Sequence, residues 1–303
     1  MQIDMTGLYI VLDVGGTGIK AGAWDIGSGK MMRYSEYPSR SGESTEVIFR
    51  NFYNIITELQ ADDVIRGIGY AMPGPFDYER GISLMKGLGK YDDIYGLSFK
   101  EELSRIDPAM AHIPMLFLHD VEACALGSYK SGAAAGCKSI ICLCLGTGAG
   151  SAFIRDGRVI RDAAEGVPAN GWIYDTPFKN SIIDDYLSAR GLLKLSGEII
   201  GEEVDGLELY NRCLEGDEGA LSVYRAFGHD VAKAIMPFID SFKPEALLVG
   251  GKISGSYAFW GKELEKRLYT DNIKIIPEPD TSRAAMQGLL AKLKDSEDAA
   301  KVI

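Results

Sequence analysis

Residues 8 to 22 read LYIVLDVGGTGIKAG, an apolar run that meets an acid, two glycines and a threonine before a second apolar stretch begins. Leu8 to Val14 has the β-branched character of a buried strand. Gly15, Gly16 and Gly18 supply the φ freedom for a turn whose backbone can approach an anion closely. The stretch therefore reads as a hairpin that holds phosphate. Gly16, Gly18 and Ala21 also satisfy a loose GxGxxA dinucleotide pattern, but that motif must open a helix, and Gly22 with the alternation of Ile19, Ala21 and Ala23 favours a strand. An ordinary glycine hairpin is the competing account. Asp13 stands at the mouth of the turn, where a carboxylate beside phosphates makes sense with a divalent cation between them.

The same grammar recurs. Residues 139 to 152, SIICLCLGTGAGSA, run from a buried strand into Gly146, Thr147, Gly148 and Gly150 and then into small and apolar residues again. In EALLVGGKIS, residues 245 to 254, a strand meets Gly250 and Gly251. Three such junctions spread over the chain suggest one nucleotide gripped from both sides, and a duplicated α/β unit with the ligand in the cleft between its halves.

Strand-like and helix-like segments alternate along the chain. Strands are expected at 8–14, 19–26, 31–37, 64–71 and 114–120, with helices at 45–59, in LSFKEELSR and in VEACALGSYKSG. The second half repeats strands at 138–145, 149–154 and 157–161 and becomes helical to about residue 242. Strand 245–250, a helix near 257–268, strand 272–277 and a helix over 282–293 close it. No low-complexity tract or Pro-rich linker divides the chain, which predicts lobes joined by a hinge rather than a tether.

Composition narrows the function. At 303 residues and 46% apolar content the chain can bury a substantial core. Its net charge of −11 disfavours nonspecific nucleic-acid binding, which needs a positive surface to release counterions. MQIDMTGLYI lacks a basic stretch followed by a long apolar core, and no apolar run reaches membrane-span length, so no membrane association and a cytoplasmic location are expected. The five cysteines show no CxxC pair. Cys142 and Cys144, two apart on a strand, point to one face and read as buried free thiols.

LDVGGTGIKAG, the Pro-Gly-Pro at 73–75, HDVEACALG at 119–127, LGTGAG at 145–150 and LVGG at 248–251 together resemble the ROK family of sugar kinases, repressors and open reading frames, and the resemblance covers nearly the whole chain. It implies an α/β, two-lobed actin-like (ribonuclease H-like) ATPase fold with an interlobe cleft. The expected N-terminal lobe is 1–118 plus 284–303, and the C-terminal lobe 119–283. It implies ATP and Mg²⁺ as cofactors, a small-molecule sugar as partner and a homodimer. The implied activity is ATP-dependent phosphorylation of a hexose or hexose derivative, glucokinase-like or N-acetylhexosamine kinase-like. The alternative is a non-catalytic, sugar-sensing regulator of the ROK type. Such regulators carry an N-terminal helix-turn-helix, for which a hairpin beginning at Leu8 leaves no room.

Asp120 ends an apolar strand just before a helix, where open α/β sheets place ligands and where aspartate also serves as a helix cap. By the resemblance it is the catalytic aspartate, accepting the proton of a sugar hydroxyl as it attacks the γ-phosphate. Asp13 would hold Mg²⁺ through water, and Thr17 with the amides of Gly15 and Gly16 would steady the transferring phosphate. Gly146, Thr147 and Gly148 would take the other phosphates, while Gly250 and Gly251 would let adenosine lie against the backbone. Lys20 reads either as a charge for the phosphates or, preferably, as a solvated strand residue.

On the sugar side the chain departs from the family pattern. The asparagine before the catalytic aspartate is His119, which either contacts a sugar hydroxyl or is a satisfied strand-end histidine. The region of the Glu-x-x-His motif reads EGVPANGWIYDTP, where Glu165 and Asn170 are the nearest polar substitutes. Trp172 to Ser188 holds neither cysteine nor histidine, so the family's zinc loop is not expected. KGLGKYDDIYG offers Lys86, Gly87 and Tyr91 in place of a further asparagine, and Pro73 and Gly74 shape the wall. A site built for particular hydroxyls discriminates strongly, so the changes argue against ordinary glucose specificity.

Overall fold

The computed structural model describes residues 6–268 and 273–301. The first five residues, residue 272 of the expected strand and residues 302 and 303 of the expected N-terminal lobe lie outside the described residues. The chain divides into two compact units, Met1–Gly127 with Ser282–Ile303, and Ser128–Thr281. The division thus falls inside a helix that follows Asp120, so the first unit holds His119 and Asp120, which the sequence reading places in the second lobe.

The first unit is built on β1 (Leu8–Val14), β2 (Gly18–Asp25) and β3 (Met31–Pro38), an antiparallel meander, followed by α1 (Thr45–Gln60) and β4 (Ile65–Met72). Two short strands, β5 (Phe76–Asp77) and β6 (Ile82–Ser83), precede α2 (Phe99–Ile106), β7 (Met115–His119) and α3 (Asp120–Ser131). Strand order is β3-β2-β1-β4-β7, with β4 and β7 parallel to β1. Side chains alternate across β4. Ile68, Tyr70 and Met72 join a core with Phe49, Phe52 and Phe99 from the helices on one face, while Gly67 and Gly69 face Leu293 and Leu289 on the other. Phe52 sits 5.0 Å from Phe99, and Tyr70 stacks on Phe117 at 4.9 Å.

The second unit repeats the plan. β8 (Ser139–Leu145), β9 (Ala149–Arg155) and β10 (Arg158–Ile160) form the meander. β11 (Pro177–Phe178), β12 (Ser181–Ile182), α4 (Ala189–Ile200), α5 (Gly206–Leu214) and α6 (Glu218–Phe242) follow, then β13 (Ala246–Gly250), α7 (Tyr257–Leu268) and β14 (Lys274–Pro277). The order β10-β9-β8-β13-β14 and its strand directions match the first sheet one for one. From Ser282 onward, the closing helix α8 (Thr281–Lys301) belongs with the first unit.

One expected secondary-structure element fails. Residues 162–188 are not helical but fold as short 3₁₀ turns and the β11–β12 hairpin. Pro168 and Pro177 remove donors, and Gly166, Asn170 and Gly171 take positive φ values of 83°, 58° and 71°, so no helix can propagate through them.

An ion pair ties that hairpin down. Lys179 Nζ lies 2.5 Å from Asp230 Oδ2 on α6 and faces the Tyr186 ring at 4.8 Å. Asp230 is 6% exposed, so losing its partner strands a carboxylate away from water. The lysine side chain is about a third exposed, which screens the loss. Lys179→Ala is expected to cost about 2–3 kcal/mol, below the value for a fully buried pair, read as a lowered denaturation midpoint. Lys179→Met with Asp230→Leu should recover most of it.

Candidate active site

Register brings the chemistry of the first unit to one edge of its sheet. Asp13 on β1 lies opposite Ala71 on β4, and Met72 opposite His119 on β7. The carboxyl ends of three parallel strands therefore present Asp13 with the Gly15–Gly18 hairpin, Pro73–Gly74, and His119–Asp120 side by side. Open α/β sheets bind ligands at that edge. Asp13 also faces Lys20 across the β1–β2 pair.

The hairpin is held by groups distant in sequence. The Gly15 amide donates to Gly18 O at 2.9 Å and closes the turn, so it is not available to an anion. Of the two amides expected at the phosphate, that of Gly16 remains, joined by that of Thr17. Neither donates to any group among the described residues. The carbonyls are drawn the other way: Ser39 and Ser41 hydroxyls donate to Gly16 O at 2.6 and 2.5 Å, and Tyr91 Oη donates to Gly15 O at 3.1 Å. Two successive amides without an acceptor, beside carbonyls that are tied back, suit the binding of an anion. Tyr91 is fully buried in the left-handed region at φ 58°, and burial pushes its phenol well above the usual range, so it stays a proton donor. It buttresses the hairpin and offers no group to a sugar.

Its neighbour Lys90 lays its stem on the same turn. The Lys90 Cδ lies 3.2 Å from where a Cβ on Gly16 would stand, and the ammonium is two bonds further on. No carboxylate within ion-pair distance claims that ammonium among the described residues. Lys86 instead sits over the Tyr95 ring at 5.0 Å, and Gly87 is exposed.

Asp120 begins α3. Its Oδ1 accepts from the Val121 amide at 2.8 Å and lies 3.3 Å from His119 Nε2, whereas Oδ2 meets no polar group among the described residues. The Asp120 side chain is 39% exposed, open enough for a solute to reach. A Cβ added at Gly74 would just reach van der Waals contact with the imidazole, and Tyr78, whose hydroxyl donates to Met72 O at 3.2 Å, meets the ring edge-on.

The second unit carries the matching edge. The Gly146 amide closes its turn on Gly148 O at 3.0 Å, while Gly146 O accepts from Ala189 at 2.8 Å. The amides of Thr147 and Gly148 meet no acceptor among the described residues. Asp184 Oδ1 accepts from the Ala149 amide at 2.7 Å and sits 2.8 Å from where a Gly148 Cβ would stand, and its other oxygen pairs with Arg190 at 2.6 Å. Gly250 and Gly251 adjoin this turn. A Cβ on Gly251, at φ 85°, would fall 2.3 Å from Leu145 O, and one on Gly250 would fall 2.6 Å from Thr281 Cγ2. The unit's own packing thus requires both glycines, whatever they bind. Glu165 and Asn170 are exposed and lie in separate 3₁₀ turns of this unit. Cys142 and Cys144 share a face of β8 with their sulfurs 3.9 Å apart.

Residues 9–291 match the profile of the ROK family. This chain belongs to the ROK family. Curated relatives include a glucokinase from Thermotoga maritima, 24% identical over 81% of this chain and 82% of that protein. Another is an N-acetyl-D-glucosamine kinase from Aliivibrio fischeri, 24% identical over 86% and 89%. A ROK family glucokinase from Streptomyces griseus, solved with glucose and AMPPNP, superposes with a TM-score of 0.72 at 18% identity over 95% of this chain and all of that one. The actin-like α/β fold is shared with the ROK sugar kinases, and among the described residues no helix is long and apolar enough to cross a membrane.

Sequence reading of this ROK protein leaves out Lys90, Ser39, Ser41 and Asp184. Only the position of Lys90 beside Tyr91, in a segment rich in glycine and charge, is a signal of any kind. The serines carry none, because their partner is a carbonyl more than twenty residues away.

Proposed function

We propose that this chain is an ATP-dependent kinase of a hexose or hexose derivative, with Asp120 as the general base. The reading rests above all on Asp120: a reachable carboxylate with one oxygen held and the other open, on the sheet edge that also carries an open-amide hairpin. The acceptor hydroxyl gives its proton to Asp120 Oδ2 as its oxygen forms the new bond to the γ-phosphorus. The bond from that phosphorus to the β–γ bridging oxygen breaks, and ADP leaves.

In the first unit, the Gly16 and Thr17 amides, the Thr17 hydroxyl and Lys90 take the charge that builds on the transferring phosphoryl group. In the second, the Thr147 and Gly148 amides, with Gly146 shaping the turn, take nucleotide phosphates, and Gly250 and Gly251 lie along the adenosine. Asp13, half-buried at a strand end beside the hairpin, fits a water-held Mg²⁺, which when bound neutralises phosphate charge. Pro73, Gly74, Glu165 and Asn170 are assigned to the sugar side, and kinship with glucokinases and N-acetylglucosamine kinases supports a hexose or its N-acetyl derivative as acceptor.

The test is ADP release with ATP, Mg²⁺ and a panel of hexoses and N-acetylhexosamines. Thermal stabilisation by a sugar without turnover under any condition would instead favour the sensing regulator. Lys90→Met is expected to lower kcat/KM for ATP about 10²-fold, within the range for one electrostatic donor, with the denaturation midpoint held. Lys90→Arg should regain part of the loss. Equal kinetics for Lys90→Met and wild type would remove Lys90 from the site.

A further inference from the structure

Resting on the reading of Asp120 as the base, we propose that His119 is a positioning residue for that carboxylate and not a ligand of the sugar. Its Nε2 is 3.3 Å from Asp120 Oδ1, the same oxygen that accepts from the Val121 amide at 2.8 Å. The Val121 amide donates to that oxygen and the imidazole edge stands within ion-pair distance of it, so a proton on Nε2 turned toward Oδ1 would fix the rotation of a carboxylate that otherwise presents either oxygen to solvent. Oδ2, with no partner among the described residues, is then the atom left to take a proton.

The histidine is itself fixed. Its side chain is 14% exposed against 39% for Asp120, so the aspartate and not the imidazole meets an incoming solute. The Tyr78 ring stands edge-on to it, centroids 6.0 Å apart and planes at 89°. Gly74 leaves room beside the ring: a Cβ added there would stand 3.8 Å from His119 Cδ2 and 4.0 Å from Nε2. An imidazole carries one hydrogen on Nε2, and once it points to Oδ1 it is not available to a sugar hydroxyl.

Kinetics and nitrogen NMR together test this. His119→Leu removes the donor and is expected to lower kcat about 10²-fold, the scale of a misplaced catalytic group, with KM for the sugar unchanged within twofold. His119→Asn, whose side-chain N–H can reach the same oxygen, should restore most of kcat. A raised sugar KM at unchanged kcat in His119→Leu would overturn the proposal and make His119 a sugar contact. The chain has three histidines, so the signal lost in His119→Leu identifies the imidazole. In the wild type that ring is expected to carry its proton on Nε2, and its nitrogen signals should move in Asp120→Ala. Signals that stay in place would overturn the pairing. Absence of turnover with every sugar would count against the kinase reading alone, and the nitrogen spectrum would still decide whether His119 holds Asp120.

Discussion

Asp120→Asn is expected to abolish useful turnover, with kcat falling about 10²–10⁴-fold, equivalent to roughly 3–5 kcal/mol of transition-state stabilisation. The substitution keeps the shape of the side chain and the oxygen that accepts from Val121 and faces His119. What it removes is the basic Oδ2. The cost to the fold should be slight, because a carboxylate at the start of a helix contributes only about 0.3–1 kcal/mol through the helix dipole. A denaturation midpoint near that of the wild type, a retained KM for ATP and a collapsed kcat together isolate proton transfer. Full turnover in the variant would take Asp120 out of the mechanism.

Gly127→Ala is expected to destabilise the fold severely, although it adds a single methyl group. That methyl, on α3, would fall 1.8 Å from the carbonyl oxygen of Ala284 and 2.8 Å from the amide of Gly288, both on α8. The reverse contact is as tight, since a Cβ on Gly288 would stand 2.0 Å from Ala123 O. Backbone cannot swing aside as a side-chain tip can, so the two helices must separate. Leu289 and Leu293 of α8 then lose their seats against Gly69 and Gly67 of β4. The expected loss is about 3 kcal/mol, at the upper end for overpacking, which lowers Tm by about 6–12 °C. Gly42→Ala is the control, because no atom lies within 4 Å of its added methyl. Equal melting of the two variants would refute this account of the α3–α8 contact.

Much of this molecule is legible in its residues alone. Leu8–Val14 is a strand to the residue, and Ser139–Leu145 starts one residue later than expected. α7 spans 257–268 as expected, and the twin sheet orders follow from the twice-used strand–glycine–strand grammar. The failure at 162–188 has a local cause: the tract is short of apolar period, and prolines and positive-φ residues punctuate it where a helix is expected.

What the chain determines by itself is where the turns fall, since φ freedom and β-branching act within a few residues, and which acids and glycines stand at strand ends. Only tertiary structure decides what those groups are free to do. The Gly15 amide is spent within its own turn, while Gly16 and Thr17 keep theirs and Tyr91 reaches across 76 positions to hold the Gly15 carbonyl. Register between β4 and β7 sets His119 beside Gly74, and a single Cβ of space sets the approach of α3 to α8. Hydrogen-bond availability and van der Waals clearance belong to pairs of residues far apart in the chain, and no local pattern of residues records them.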